Sequence, residues 1–264
     1  MRISRALGLS VAIALVVCAA IASAASAAPP EYGRCVKLAK VGKVYTGNFT
    51  DKGCTKEATA KEKEEGKKNK YNWLPGGVKL GQTSSGGKAT LQEVGKYAVG
   101  CSSESSVGEY TGTKEAKGIF VKFEDCHVPP YVCNSPGHPE GELETKELEG
   151  RAVWLNKAKH EAGLDLFPAK GEEKFISFNC GTLHVEVRGA ILVPVQANKM
   201  STTFKLKYKE KNGFQETKFY ENEEGKLVEN VLEANFAEKG WAKAGQSITT
   251  TVKNEEALEL NTYV

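Results

Sequence analysis

Phe204-Lys205-Leu206-Lys207-Tyr208-Lys209 alternates apolar and charged residues at every step. A period of two sends successive side chains to opposite faces of a strand, so Phe204, Leu206 and Tyr208 share one side and three lysines the other. One apolar and one wet face suit an antiparallel sheet rather than a parallel sheet buried on both sides. The same period recurs elsewhere. Ile119, Val121 and Phe123 alternate with Phe120, Lys122 and Glu124, and Leu183, Val185 and Val187 alternate with His184, Glu186 and Arg188. Further strand candidates fall at 43–50, 70–74, 89–94, 96–102, 141–148, 151–155, 164–167, 174–180, 190–195, 217–220, 232–236, 247–252 and 257–262.

Between these runs stand turn residues: Pro75-Gly76-Gly77, Ser84-Ser85-Gly86-Gly87, Asn212-Gly213 and Glu224-Gly225. The stretch 108–121 is echoed with one deletion by 141–153, and both read as strand, turn, strand. Two copies are too few for a solenoid, so they read as similar hairpins. No helical stripe exceeds two turns. Many short strands without crossover helices predict an all-β fold, an antiparallel β-sandwich or an open β-barrel. The segment 55–70 crowds Lys and Glu together and reads as a charged surface loop, at most a short solvated helix held by i,i+4 pairs.

The first residues follow a different logic. Arg2 and Arg5 precede an apolar run from Leu7 to Ile21, and small residues continue to Ala28, the pattern of a secretory signal. Ala25-Ser26-Ala27 places cleavage after Ala27. The uncharged run 6–30 is long enough to cross a bilayer as an uncleaved anchor, but its Ala/Ser-rich second half is weakly apolar. Cys18 follows Val16-Val17, where a lipid-attachment cysteine wants a small residue, and reads as discarded with the signal. Residues 28–264 carry no Pro/Gly/Ser linker and are predicted to form one all-β extracellular domain.

Composition narrows the partners. The 264 residues are 40% hydrophobic and 26% charged, with net charge +3, which falls to +1 once the two signal arginines are removed. Lys and Glu are interspersed, and only Arg34, Arg151 and Arg188 remain, so a phosphate-tracking patch is absent and nucleic acid is excluded as a partner. A membrane is a partner only if the N-terminal segment stays attached.

Six cysteines survive cleavage: Cys35, Cys54, Cys101, Cys126, Cys133 and Cys180. An even number in an exported chain reads as disulfides, with 15 possible pairings. Short loops favour Cys35–Cys54 and Cys126–Cys133, which leaves Cys101–Cys180. Cys126, His127, Cys133 and His138 can be drawn as a zinc set, but no paired C-x₂-C spacing is present and export favours oxidation. His127, His138, His160 and His184 read as surface or strand polar positions, and no metal or cofactor is expected.

Templates for catalysis fail in turn. There is no Gly-x-Ser-x-Gly elbow, the P-loop pattern breaks at Gln82 and Ala89, and Asp is confined to Asp51, Asp125 and Asp165. Asp165, between Leu164 and Leu166, reads as an outward strand residue. Glu142, Glu144 and Glu147 offer carboxylates for glycoside cleavage, although exposed Glu and Lys also make a solubilised sheet face. Trp154 reads as core, and Tyr71-Asn72-Trp73-Leu74-Pro75 displays Tyr71 and Trp73 beside a turn as candidate binding aromatics. Asn48-Phe49-Thr50 is a glycosylation-type triplet, meaningful only in a eukaryotic host.

Glu31-Tyr-Gly-Arg-Cys-Val-Lys37, Tyr71-Asn-Trp-Leu-Pro75, Gly163-Leu-Asp-Leu-Phe-Pro168, Asn198-Lys-Met-Ser201 and Asn254-Glu-Glu-Ala-Leu-Glu-Leu-Asn261 follow in order along the chain. In these the sequence resembles a group of uncharacterised secreted proteins of high-GC Gram-positive bacteria. The resemblance implies a bacterial exported protein and no particular chemistry. The expected function is that of a secreted or envelope-associated, non-catalytic protein, binding or structural, with cell-wall polysaccharide or another envelope protein as partner. The alternative is a secreted carbohydrate-active hydrolase using a Glu pair. A third reading is an inhibitor-like module presenting the Cys126–Cys133 loop, where Pro129-Pro130-Tyr131 would be stiff and exposed.

Overall fold

The computed structural model describes residues 30–76, 80–95 and 97–263, so the expected signal segment 1–27 and Cys18 lie outside the described residues. In chain order the strands are β1 (Glu31–Lys37), β2 (Tyr71–Pro75), β3 (Leu80–Gly86), β4 (Ala89–Glu93), β5 (Ala98–Cys101), β6 (Ser103–Tyr110), β7 (Glu115–Glu124) and β8 (His127–Val128). They continue as β9 (Tyr131–Asn134), β10 (Leu143–Glu144), β11 (Leu148–Asn156), β12 (Glu161–Pro168), β13 (Ile176–Cys180), β14 (Leu183–Gly189) and β15 (Ile191–Val195). The last are β16 (Ser201–Tyr208), β17 (Glu210–Lys211), β18 (Phe214–Gln215), β19 (Phe219–Glu221), β20 (Leu227–Glu229), β21 (Leu232–Phe236) and β22 (Ala242–Asn261). One short helix, α1 (Ala60–Glu65), follows β1.

All strand pairings are antiparallel, as the one-sided alternation requires. The 20-residue β22 organises them. Its first part pairs with β4 and β21, and from there β5, β8, β9, β13 and β14 complete a closed ring of eight strands. Its second part pairs with β3 and β16, and that sheet continues through β6, β7, β11, β12 and β15.

Long strands pass from one sheet into the other. Residues 82–86 and then 90–93 run against the same β22, opposite 250–254 and 244–247. Ser84-Ser85-Gly86-Gly87 is therefore a break in a continuing strand, not the hairpin its composition predicts. The echo at 141–153 is corrected in the same way. β10 and β11 both pair with β7, so they are one interrupted strand rather than a hairpin. The interruption has a cause: Thr145 donates its N–H to Val121 O and accepts from Val121 N–H at its hydroxyl, both at 3.0 Å, and Lys146 N–H turns away to Phe175 O.

Of the expected disulfides, Cys35–Cys54 is present. The other two pairs are Cys101–Cys126 and Cys133–Cys180, not Cys126–Cys133 and Cys101–Cys180. The reason is topological. Cys126 just before β8 and Cys133 within β9 belong to a hairpin that is an integral part of the ring wall, and each cysteine bonds across a seam to the neighbouring strand. Those seams are thin, one residue pair between β5 and β8 and two between β9 and β13.

Leu148, Ile191, Val193, Phe178, Val185 and Leu232 are fully buried in one continuous core that fills both sheets. Each such side chain contributes about 1.5–3 kcal/mol by leaving water. Trp154 is buried, as expected. Asn212 and Gly213 both adopt positive φ in the two-residue turn joining β17 to β18, as their pairing predicts.

The segment 43–50 forms only isolated bridges, with Phe49 reaching Tyr71 and Glu57, rather than a strand. Within 55–70 lies α1, started by a capping box between Thr59 and Glu62 and stopped by Gly66 at φ 61°. The stretch is not entirely a surface loop, because Asn69 is buried and its amide donates to the carbonyls of Tyr45 and Gly47.

Candidate functional site

Over the outer face of β7 and β13 runs an open groove of about 590 Å³. The break between β10 and β11 shapes it. Because Lys146 turns from β7 to Phe175 O while Thr145 stays tied to Val121, Glu144, Lys146 and Glu147 come to line it, and the loop before β13 adds Glu172 and Lys174. Phe120, the outward residue of the β7 alternation, supplies an exposed ring, and Ser177 adds a hydroxyl from β13.

At one end Ser135 anchors the loop after β9. Its hydroxyl accepts from Glu144 N–H at 3.1 Å, and its own N–H donates to Glu142 O at 2.9 Å. This brings His138 Nδ1 within 3.0 Å of Glu142 Oε1, while Lys122 Nζ lies 2.7 Å from Glu142 Oε2. The Lys122 ammonium, aided by His138, holds the Glu142 carboxyl below the usual carboxylate range. Such an acid is a poor proton donor at neutral pH, the reverse of what a glycosidase general acid needs.

The ligand atoms of His138, Glu142 and Glu144 lie within 4.8 Å of one another. Lys122 supplies positive charge there and pairs with Glu142. The zinc set drawn from Cys126, His127, Cys133 and His138 is overturned, because both cysteines are disulfide-bonded. Elsewhere in the lining Lys174 pairs with Glu186, and its ammonium holds that carboxyl low as well.

Asp165 is not outward-facing and wet. It is wholly buried, opposite Arg151 in the β11–β12 register, and its Oδ2 receives Arg151 Nε at 2.9 Å and Asn230 Nδ2 at 2.9 Å. Burial raises its pKa despite the arginine's opposing charge. The β19–β20 hairpin covers this face, with Tyr220 OH accepting from Arg151 Nη2 at 3.0 Å, and a second cleft of about 240 Å³ opens beside Lys157 and Glu221.

Tyr71 and Trp73 fall on β2, half-buried, and neither lines the groove. The Trp73 ring lies flat against Gly33, where a Cβ would stand 2.0 Å from it, so it acts as packing between β1 and β2. Glu144 and Glu147 do line the groove. Phe120, Lys174 and Ser177 were missed, since only tertiary structure brings these strands together. Phe120 carried one signal, a large apolar residue on the charged side of its strand. Comparison with family models, curated proteins and solved structures finds no match to the chain.

Proposed function

We propose that this is an exported bacterial protein, delivered by a signal segment at 1–27, which binds a polar polymer of the cell envelope in the groove without catalysis. The observation that carries the reading is the groove itself. Its volume lies in the range of ligand sites, and carboxylates, ammonium groups and hydroxyls alternate beside the exposed ring of Phe120. That mixture suits a glycan, whose hydroxyls need both donors and acceptors and whose sugar faces stack on an aromatic. Three disulfides support an oxidising compartment. The closed ring favours a barrel reading over a sandwich.

The second reading, a hydrolase using a Glu pair, is kept because Glu144 and Glu147 stand in the same groove. Incubation with isolated cell-wall polysaccharide separates the two. Depletion of the protein from solution without release of soluble sugar is the expected result. Steady sugar release that stops in Glu144→Gln or Glu147→Gln establishes the hydrolase instead, and absence of depletion removes both.

A further inference from the structure

Independently of the groove, the molecule has a polar interior where an apolar one is expected. On β3 and β6 the inward positions are Gln82, Ser84, Glu104 and Ser106, whereas Val107, pointing outward, is 54% exposed. Polar residues on a core-facing stripe cost stability unless they are hydrogen-bonded. Glu104 is 6% exposed. Ser84 Oγ donates to its Oε1 at 2.7 Å, but Oε2 has no hydrogen-bond partner, and neither has Thr250 Oγ1 in the same lining. No Lys, Arg or His stands among the described lining residues. Space has been left for the carboxylate, since a Cβ on the facing Gly86 would come within 2.8 Å of Oε2.

The chamber beside Glu104 has about 60 Å³ of room, and Phe123, Phe175 and Gln246 line both it and a second chamber of about 50 Å³ inside the ring. That second chamber is lined almost wholly by apolar residues, among them Leu143, Ile176 and Phe178. A buried carboxylate with an unused oxygen demands a donor, best a cationic one, and the hydroxyl oxygens of Tyr208 and Thr250 add acceptors beside it. A primary ammonium offers three donors on one positive nitrogen. We infer that the interior binds a small primary alkylammonium, its head on Glu104, Thr250 and Tyr208 and its short tail directed past Phe123 and Phe175 into the ring.

The test is thermal unfolding of the full chain with n-butylammonium chloride, n-butanol, or sodium chloride at equal ionic strength. Butylammonium at about a hundred times its dissociation constant should raise the midpoint by roughly 5–10 °C, while the alcohol and the salt do not. Glu104→Gln, which keeps the shape and removes the charge, should abolish the rise. No rise with butylammonium, an equal rise with butanol, or a rise that survives in Glu104→Gln overturns the assignment and leaves ordered water as the occupant. If Glu104→Gln does not fold, the comparison of amine with alcohol on the native chain decides alone.

Discussion

Arg151 and Asp165 stand directly opposite each other on β11 and β12, with Arg151 Nε and Nη2 at 2.9 and 2.8 Å from the same carboxylate oxygen, Oδ2. The two partners differ in surroundings. The Asp165 side chain is fully buried, whereas that of Arg151 is 43% exposed and stacks between Phe167 and Tyr220. Removing one is therefore unlike removing the other.

Arg151→Ala leaves a buried charge with only Asn230 to answer it, and should cost about 3–5 kcal/mol. Asp165→Asn leaves an arginine that water still reaches, and should cost less. Urea unfolding with unchanged slope measures both, and equal losses would contradict the burial asymmetry.

The pH dependence of that pair has a definite sign. Burial raises the Asp165 pKa, so the folded chain holds this proton more tightly than the unfolded chain. Its contribution is fully present below the ordinary carboxylate pKa of about 3.9 and declines as pH rises through the raised folded value. Asp165→Asn should thus cost more at pH ~3 than at pH ~7. Glu142 and Glu186, held low by Lys122 and Lys174, act in the opposite sense, and their contribution is lost as pH falls through their folded values. Paired urea titrations of native and variant chains at the two pH values give the difference directly.

The disulfides should rank by the chain they close. Cys133–Cys180 spans 47 residues, Cys101–Cys126 spans 25 and Cys35–Cys54 spans 19. Loop-closure entropy gives about 4 kcal/mol for the first and roughly 3 to 3.5 for the others. Replacing Cys133 and Cys180 together by Ala should lower the unfolding midpoint most and open the ring at its thin β9–β13 seam. Amide exchange should then rise first in 131–134 and 176–180. Peptide mapping without reduction checks the pairing itself.

Binding should depend on the groove and not on the aromatics of β2. Phe120→Ala and Lys146→Ala are expected to weaken depletion by wall polysaccharide several-fold. Tyr71→Ala and Trp73→Ala should leave it unchanged in folded protein, while Trp73→Ala lowers stability through the lost packing against Gly33. The opposite pattern would move the site to β2.

Much of the fold was legible because one-sided burial writes itself into period two. The alternation in β16 and β14 reappears in their burial, with Leu206, Tyr208, Val185 and Val187 buried. Period two misleads where burial is not one-sided. β12 is buried continuously from Ala162 to Leu166, and Arg151 and Asn230 meet Asp165 on its second face, so the polar residue in Leu164-Asp165-Leu166 marks an internal ion pair rather than a wet side. The signal was there in a solitary acid within an apolar run. Its partners were not, because Asn230 and Tyr220 lie more than fifty residues away in sequence. In β3 and β6 both faces are polar, so periodicity does not say which one Glu104 occupies.

The all-β class, most strand positions, the Asn212-Gly213 turn, the core place of Trp154 and the Cys35–Cys54 bridge were written in the residues themselves. These depend on local chemistry, namely period, turn dihedrals and short loop closure. Tertiary structure alone decided whether Gly86-Gly87 reverses the chain or lets it pass on, which cysteines face each other across the ring, and which acids are buried. Those outcomes depend on the neighbour that a strand's second edge and second face acquire, and that neighbour comes from a distant part of the chain.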